Sequence, residues 1–113
     1  MSERTGGCLC GKVRYRLRSD PVVSRICWCR DCQHIAGNGT VNAIFPAQDL
    51  DVSGPVAAHA SHGESGNRVT RRFCPACGSH LFADSTGRPG LTVVRVGTLD
   101  EPSSVTPSAN IWA

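Results

Sequence analysis

The chain has 113 residues, a formal net charge of +3 and six aromatic residues (three Phe, two Trp and one Tyr). This length suits a single domain, residues 1–113, whose modest core would benefit from a bound metal. The basic residues are dispersed without an aromatic stripe, and no stretch is apolar enough for a signal peptide or a membrane span. We therefore expect no nucleic-acid partner, no membrane and a cytoplasmic location.

Short strands separated by turns are predicted along the whole chain, because it contains twelve glycines and seven prolines. In chain order, the predicted strands are 13–17, 22–27, 40–45, 49–52, 56–60, 68–74, 81–83, 91–96 and 109–112. A single helical turn is expected over 31–36, ended by the glycines that follow it, and 62–67 is predicted to be a loop. A tight turn at 75–78 separates two of the strands. The expected fold class is therefore mainly β.

The seven cysteines fall into three short motifs. The motifs are Cys8-Leu9-Cys10, Cys27-Trp28-Cys29-Arg30-Asp31-Cys32 and Cys74-Pro75-Ala76-Cys77-Gly78. An odd number of cysteines cannot all pair as disulfides within one chain. In a reducing compartment, closely spaced thiols are typical of metal ligands or redox groups. The spacings here favour zinc.

The third motif has the Cys-x-x-Cys-Gly pattern of a zinc knuckle, in which a turn brings both sulfur atoms to one side. A structural zinc site needs four ligands, so Cys74 and Cys77 require two partners. Cys8 and Cys10 are the natural candidates, because residues i and i+2 of an extended segment face the same side. We expect these four cysteines to hold a structural zinc that ties the N-terminus to the knuckle.

Cys27, Cys29 and Cys32 then remain for a second zinc ion, bound more weakly than the first. Three protein ligands leave one tetrahedral position for water or substrate, which is the pattern of catalytic zinc. Two alternatives stay open at this point. His34 could close the site as a fourth ligand, or the cysteine pairs could be redox-active, although no β-α-β pattern surrounds them.

Four segments together resemble the glutathione-dependent formaldehyde-activating enzyme family, whose domain centromere protein V shares. The segments are Gly7-Cys8-Leu9-Cys10-Gly11-Lys12-Val13-Arg14-Tyr15, Cys27-Trp28-Cys29-Arg30-Asp31-Cys32-Gln33, Arg72-Phe73-Cys74-Pro75-Ala76-Cys77-Gly78-Ser79 and Val96-Gly97-Thr98-Leu99-Asp100. The resemblance implies a β-tent fold of antiparallel sheets. It also implies a structural zinc at Cys8, Cys10, Cys74 and Cys77 and a catalytic-type zinc at Cys27, Cys29 and Cys32.

The activity that the resemblance implies is that of a zinc-dependent carbon–sulfur lyase. Such an enzyme would join glutathione, or a related thiol, to formaldehyde or cleave such an adduct. The alternatives are a lyase for another thiol adduct and a non-enzymatic zinc-binding module for protein interaction. An exposed edge strand would also permit a homodimer. The sequence departs from the family pattern at Trp28, where His is common. It also ends sooner than its relatives usually do, and in those relatives the additional residues could form part of the wall of the substrate pocket.

The sequence offers fewer signals for the residues around the second zinc site. Arg25 and Arg30 flank the cysteines and could offset their negative charge, meet a substrate carboxylate or simply be solvated. Asp31 stands at the start of the helical turn and is expected to be its N-cap rather than a general base. Surface positions are expected for the histidines without a local partner: His59, His62 and His80.

Overall fold

The computed structural model describes residues 3–63 and 65–111, and within these ranges the chain forms ten strands and one α-helix. The strands are β1 (Arg4–Gly7), β2 (Arg14–Leu17), β3 (Val23–Cys27), β4 (Thr40–Pro46), β5 (Leu50–Ser53), β6 (Ala57–His62), β7 (Arg68–Phe73), β8 (His80–Ser85), β9 (Leu91–Arg95) and β10 (Ala109–Ile111). The helix α1 spans Arg30–Ala36. Short 3-10 turns occupy Ala47–Asp49, Val96–Thr98 and Pro102–Ser104. The predicted mainly β class is confirmed.

The strands form a three-stranded sheet, ordered β1-β2-β5, and a seven-stranded sheet, ordered β10-β3-β4-β9-β8-β7-β6. The expectation of antiparallel sheets is wrong in one place, because β10 runs parallel to β3 and Ala109 is paired with Arg25. A tight hairpin forces its two strands to be antiparallel, whereas a long connection does not. Most of the chain lies between β3 and β10, and a connection of this length allows the two strands to pair in parallel.

Most predicted strands lie within two residues of their observed bounds, and the helix ends at Gly37 with φ 71° as expected. The exception is β1, which contains Gly6 and Gly7 and carries no strand signal in the sequence. Two predictions extend beyond the described residues. Trp112 of the predicted last strand and Glu64 of the predicted loop both lie outside them.

The main core lies between the small sheet and one face of the large sheet. Its largest fully buried side chains are Phe45 and Phe82. Tyr15 of β2 meets Phe82 edge-on with ring centroids 5.1 Å apart, and its hydroxyl lies 2.7 Å from Thr98 Oγ1. Burial raises the pKa of Tyr15 to about 12, so the hydroxyl keeps its proton at neutral pH. This contact fixes β2 over the large sheet.

The opposite face of the large sheet carries a second, smaller apolar cluster. Ile44, Ala83 and Val93 form it and are here called the apolar floor. Val93 is paired with Ile44 on one side and with Ala83 on the other, and Ala83 is paired with Arg71. Paired residues of neighbouring strands point to the same face of a sheet. Arg71 therefore extends the row formed by the apolar floor.

Within the described part of the chain, no helix has the length and hydropathy that a membrane span requires.

We expect Gly6→Ala to destabilise the protein by about 1–3 kcal/mol, because β1 approaches its neighbours too closely for a side chain. A Cβ at Gly6 would meet the Tyr15 hydroxyl and would lie 2.5 Å from the carbonyl oxygen of Thr98. The matched control is Gly97→Ala, where a Cβ would have no heavy atom within 4 Å. Urea denaturation of both variants measures the difference. Equal midpoints for the two variants would contradict the close approach of β1.

Candidate metal centres

Cys8, Cys10, Cys74 and Cys77 form one group of thiols, here called the four-thiol cluster, whose sulfur atoms all lie within 4.8 Å of one another. The Sγ atoms of Cys8 and Cys10 are 3.6 Å apart, and those of Cys10 and Cys74 are 3.7 Å apart. Cys8 and Cys74 are buried, whereas Cys10 is exposed. The structure thus brings together the two segments that the sequence analysis paired.

The backbone supports the cluster with two turns. Gly78 closes the knuckle with φ 78° and donates its N–H to the Cys74 carbonyl at 2.8 Å. The first two cysteines also lie on a turn, closed by a 3.2 Å bond from Gly11 N–H to the Cys8 carbonyl. The expectation that Cys8 and Cys10 belong to an extended segment is therefore wrong. Strand β1 ends at Gly7, and the turn that follows it aims both sulfur atoms toward Cys74.

The four-thiol cluster fits a tetrahedral zinc ion. With Zn–S bonds of about 2.3 Å, the edge of a regular ZnS4 tetrahedron is about 3.8 Å, close to both measured separations. A backbone contact also favours the thiolate of Cys8, because Val13 N–H donates to Cys8 Sγ at 3.2 Å. The hydrogen bond between Cys77 and the Ser79 hydroxyl lowers the pKa of Cys77 to about 5. The group can hold a metal ion with a closed set of four ligands.

Cys27, Cys29 and Cys32 form the second group, the three-thiol cluster, with sulfur atoms within 4.8 Å of one another. Cys27 ends β3, and Cys29 is the N-cap of α1, where its sulfur accepts a hydrogen bond from the Cys32 N–H at 3.4 Å. The prediction that Asp31 caps the helix is therefore wrong. Asp31 lies inside the first turn, which leaves its carboxylate free to lie beside Arg71.

The surroundings of the three thiols favour ionisation at Cys32 most. Burial opposes it, but hydrogen bonds from the Thr40 hydroxyl and Cys29 and the nearby charge of Arg95 together lower the pKa of Cys32. Thr40 Oγ1 lies 3.1 Å from the Cys32 sulfur. Burial raises the pKa of Cys27 to about 12. A divalent ion would supply the positive charge that this site needs to hold several thiolates, so the donor set also suits zinc.

The structure does not bring His34 into the three-thiol cluster. His34 is exposed, and its Nδ1 lies 2.7 Å from the Arg30 carbonyl oxygen on the same helix. The alternative of a closed site with three cysteines and this histidine has no geometric support. Among the described residues, the cluster supplies three ligand atoms, one fewer than a tetrahedral zinc ion binds.

The other histidines differ in their positions. His59 and His62 are exposed on β6, as expected. The surface position expected for His80 is wrong, because the ring is half-buried and stacks on Phe73 with centroids 5.4 Å apart. Burial, together with the charge of Arg95, lowers the pKa of His80, so the ring is neutral near pH 7. His80 is paired with Phe73 next to a register shift between β7 and β8, a feature that the sequence does not reveal.

The three-thiol cluster opens onto a cavity of about 390 Å³ on the outer face of the large sheet. The apolar floor forms part of its lining, and Ile111 of β10 borders it beside the cluster. Trp28 holds β10 in place, since its backbone N–H donates to the Ile111 carbonyl at 2.9 Å and its indole N–H donates to Asn110 at 2.9 Å. This cavity is large enough for a small organic ligand.

Two buried arginines of the cavity were missed in the sequence analysis. Arg71 lies on β7 and Arg95 ends β9, and both are buried against the cavity. One sequence signal pointed to Arg95, because it interrupts the most β-branched strand of the chain. No such signal exists for Arg71. It is followed by Arg72, and the sequence does not show which of the two arginines faces the cavity. Arg25, which the sequence analysis singled out, lines the cavity, and exposed Arg30 donates to Gln33 instead.

The fold and its two thiol clusters define a class of small, mainly β proteins that can hold two metal ions in cysteine sites, consistent with zinc. The chain belongs to the glutathione-dependent formaldehyde-activating enzyme family, whose family model matches residues 3–113. This membership confirms the resemblance seen in the cysteine motifs. The family is named for an enzymatic activity that involves glutathione and formaldehyde.

A solved structure supports the fold independently. The chain resembles the crystal structure of a Rhodobacter sphaeroides protein determined by structural genomics, with a TM-score of 0.72 and 20% sequence identity. The match covers 94% of this chain and 98% of the other. No curated protein sequence matches the chain. The likeness to the Rhodobacter protein concerns the fold alone.

Proposed function

We propose that the protein is a zinc-dependent enzyme of the carbon–sulfur lyase type. It joins glutathione, or a related thiol, to formaldehyde, or cleaves the same adduct. Family membership supports the pair of substrates, and the two thiol clusters support the metal. The observation that carries the proposal is the position of the three-thiol cluster in the wall of the cavity, with no fourth protein ligand among the described residues.

The four-thiol cluster has a different part in this proposal. None of its members lines the cavity, and two of them are buried. Cys8, Cys10, Cys74 and Cys77 would hold a structural zinc that maintains the fold. Cys27, Cys29 and Cys32 would hold the catalytic zinc, which binds more weakly because the chain supplies one ligand fewer.

When bound at the three-thiol cluster, zinc would lower the pKa of a ligated substrate thiol and stabilise it as the thiolate. The chain's own residues prepare the site for that charge. Arg95 lies close enough to Cys32 to stabilise its thiolate form, and Thr40 donates a hydrogen bond to the same sulfur. The apolar floor contributes nonpolar surface to the same cavity, where charges are screened less than in bulk water.

The reaction needs no redox partner. In the joining direction the substrate sulfur forms one bond to the formaldehyde carbon, and the carbonyl oxygen takes up the proton that the thiol gives up. Cleavage reverses both changes. The site must therefore bind a thiol, stabilise its ionised form and leave space for a one-carbon aldehyde. These are tasks that the thiols, Arg95 and the cavity can perform together.

The absence of disulfides fits a reducing compartment, and the proposal places the protein in the cytoplasm. All seven cysteines are free in the structure, and each belongs to one of the two clusters. Thiol clusters of this kind persist where glutathione keeps cysteines reduced. The proposed thiol substrate would be abundant in the same compartment.

Metal removal tests the proposal directly. We expect the purified protein to contain two zinc ions per chain, and a mild chelator should remove one of them together with the activity. The fold should survive, because the four-thiol cluster keeps its ion. Elemental analysis, the melting curve and NMR detection of S-hydroxymethylglutathione provide the three readouts. A single tightly held zinc, with no glutathione binding by calorimetry, would overturn the enzyme proposal.

A further inference from the structure

Two arginines of the cavity are buried without using all their hydrogen-bond donors. Arg71 and Arg95 are only 6% and 8% exposed. Each guanidinium offers five N–H donors. Arg71 donates to Ser61 Oγ at 3.0 Å and Arg95 donates to the Asn42 side chain, while the Nε atoms of both arginines are buried without a partner among the described residues. Buried cations with unused donors are costly unless an acceptor is supplied.

The described lining of the cavity also carries an excess of positive charge. Arg25 and Arg88 line it together with the two buried arginines, and Asp31 is the one carboxylate among the described lining residues. Asp31 Oδ2 lies 3.6 Å from Arg71 Nη2, beyond hydrogen-bond distance, so it neutralises Arg71 only in part. Three thiolates on a divalent ion would add one net negative charge. Among the described lining residues, about two positive charges are then left for a ligand.

We propose that Arg71, assisted by Arg95, holds a carboxylate group of the substrate while the substrate sulfur lies at the three-thiol cluster. The site would therefore select thiols that carry an anionic group and discriminate against neutral ones. This inference rests on the proposed function, because the cluster is taken as the position of the sulfur. Paired N–H donors of a guanidinium match the two oxygens of a carboxylate, which gives orientation as well as attraction.

The geometry of α1 explains why the anion would lie close to the reacting sulfur. Asp31 is adjacent to Cys32 in the chain and approaches Arg71, so the guanidinium reaches from β7 toward the first turn of α1. The apolar floor continues away from this end of the cavity. A tripeptide-sized thiol can therefore place one charged end on Arg71 and extend the rest of its chain across the floor.

Arg72 provides a matched control for Arg71. The two arginines are neighbours on β7, and successive residues of a strand point to opposite faces. Arg72 is not part of the cavity lining and forms an ion pair with Asp84. The variants Arg71→Gln and Arg72→Gln remove the same charge from the same strand, but only the first removes it from the cavity.

S-methylglutathione and its diethyl ester are suitable probes for calorimetry on the zinc-loaded protein. Neither has a free thiol, so their binding reports recognition of the carboxylates separately from the sulfur chemistry. We expect Arg71→Gln to weaken S-methylglutathione binding 10- to 100-fold and Arg72→Gln to leave it within 2-fold, as expected for the loss of a charge-assisted contact of about 1.4–2.7 kcal/mol. The diester should bind the wild type weakly and lose nothing further in Arg71→Gln.

The outcomes separate this inference from the proposed function. Equal binding of S-methylglutathione to Arg71→Gln and Arg72→Gln, or no binding to the wild type, would overturn the carboxylate site even if the protein makes S-hydroxymethylglutathione. Arginine-dependent binding without any turnover would support the carboxylate site and contradict the proposed reaction. If Arg71→Gln does not fold, the two probes are compared on the wild type alone. Equal affinity of the wild type for S-methylglutathione and for its diethyl ester would exclude carboxylate recognition.

Discussion

The variant Cys77→Ser should lose the cooperative folding of the domain. Cys77 is one of four sulfur atoms that meet across the junction of the N-terminal turn and the knuckle. A structural zinc contributes about 10–16 kcal/mol in small zinc-binding peptides, which is comparable with the whole stability of a domain. A serine hydroxyl does not replace a thiolate ligand, so most of this contribution would be lost. Thermal melting followed by circular dichroism measures the effect.

The control for this experiment is the same substitution in the other cluster. Cys29→Ser should retain a cooperative melting transition with a midpoint within a few degrees of the wild type. Elemental analysis should find that Cys77→Ser has lost the more tightly held ion, whereas Cys29→Ser has lost the weaker one. A wild-type melting curve for Cys77→Ser would show that the four-thiol cluster has no structural role.

The second large effect is expected on activity. Cys29→Ser should lower the rate of adduct formation at least about 100-fold, equivalent to about 2.7 kcal/mol in the activation free energy. Its sulfur is one of the three proposed ligands that face the cavity. The fold should persist because Cys29 is the N-cap of α1, and serine is among the preferred N-cap residues. The substitution thus removes a metal ligand while it keeps the helix start.

The spontaneous reaction of thiols with formaldehyde must be subtracted, so each rate is measured with and without protein. His34→Ser is the matched control, because His34 lies on the same helix and outside the three-thiol cluster. It should retain the wild-type rate. Full activity in Cys29→Ser, or a comparable loss in His34→Ser, would refute the assignment of the catalytic ligands.

The thiol clusters could be predicted because metal-site geometry restricts the spacing of cysteines. Two residues at Cys-x-x-Cys spacing face one point, and the tetrahedral requirement of zinc then limits their partners. Strand β9 was predictable for a similar local reason. The stretch 91–96 is rich in β-branched residues, which favour extended backbone, and the structure has a strand at Leu91–Arg95.

Other features depend on contacts that no local pattern records. Strand β1 forms because Gly6 can approach both Tyr15 of the neighbouring strand and Thr98, which is distant in the chain. Cys29 rather than Asp31 caps α1, because the helix begins one residue earlier than predicted, at Arg30. Part of the positive charge of the cavity comes from Arg71 and Arg95, which the sheet register places on one face. Register is a property of the assembled sheet, so the sequence alone does not show that these two residues share a face.

The four-thiol cluster has a consequence for the unfolded chain. Cys10 and Cys74 are 64 residues apart in sequence, so an ion that holds both acts as a cross-link that closes a long loop. A covalent cross-link of this span would reduce the entropy of the unfolded chain by the equivalent of about 4 kcal/mol. Disulfides of this kind do not persist in a reducing compartment. A metal cross-link there would supply the same restraint without oxidation. Such a restraint suits a protein in which several pairs of neighbouring strands are far apart in the sequence.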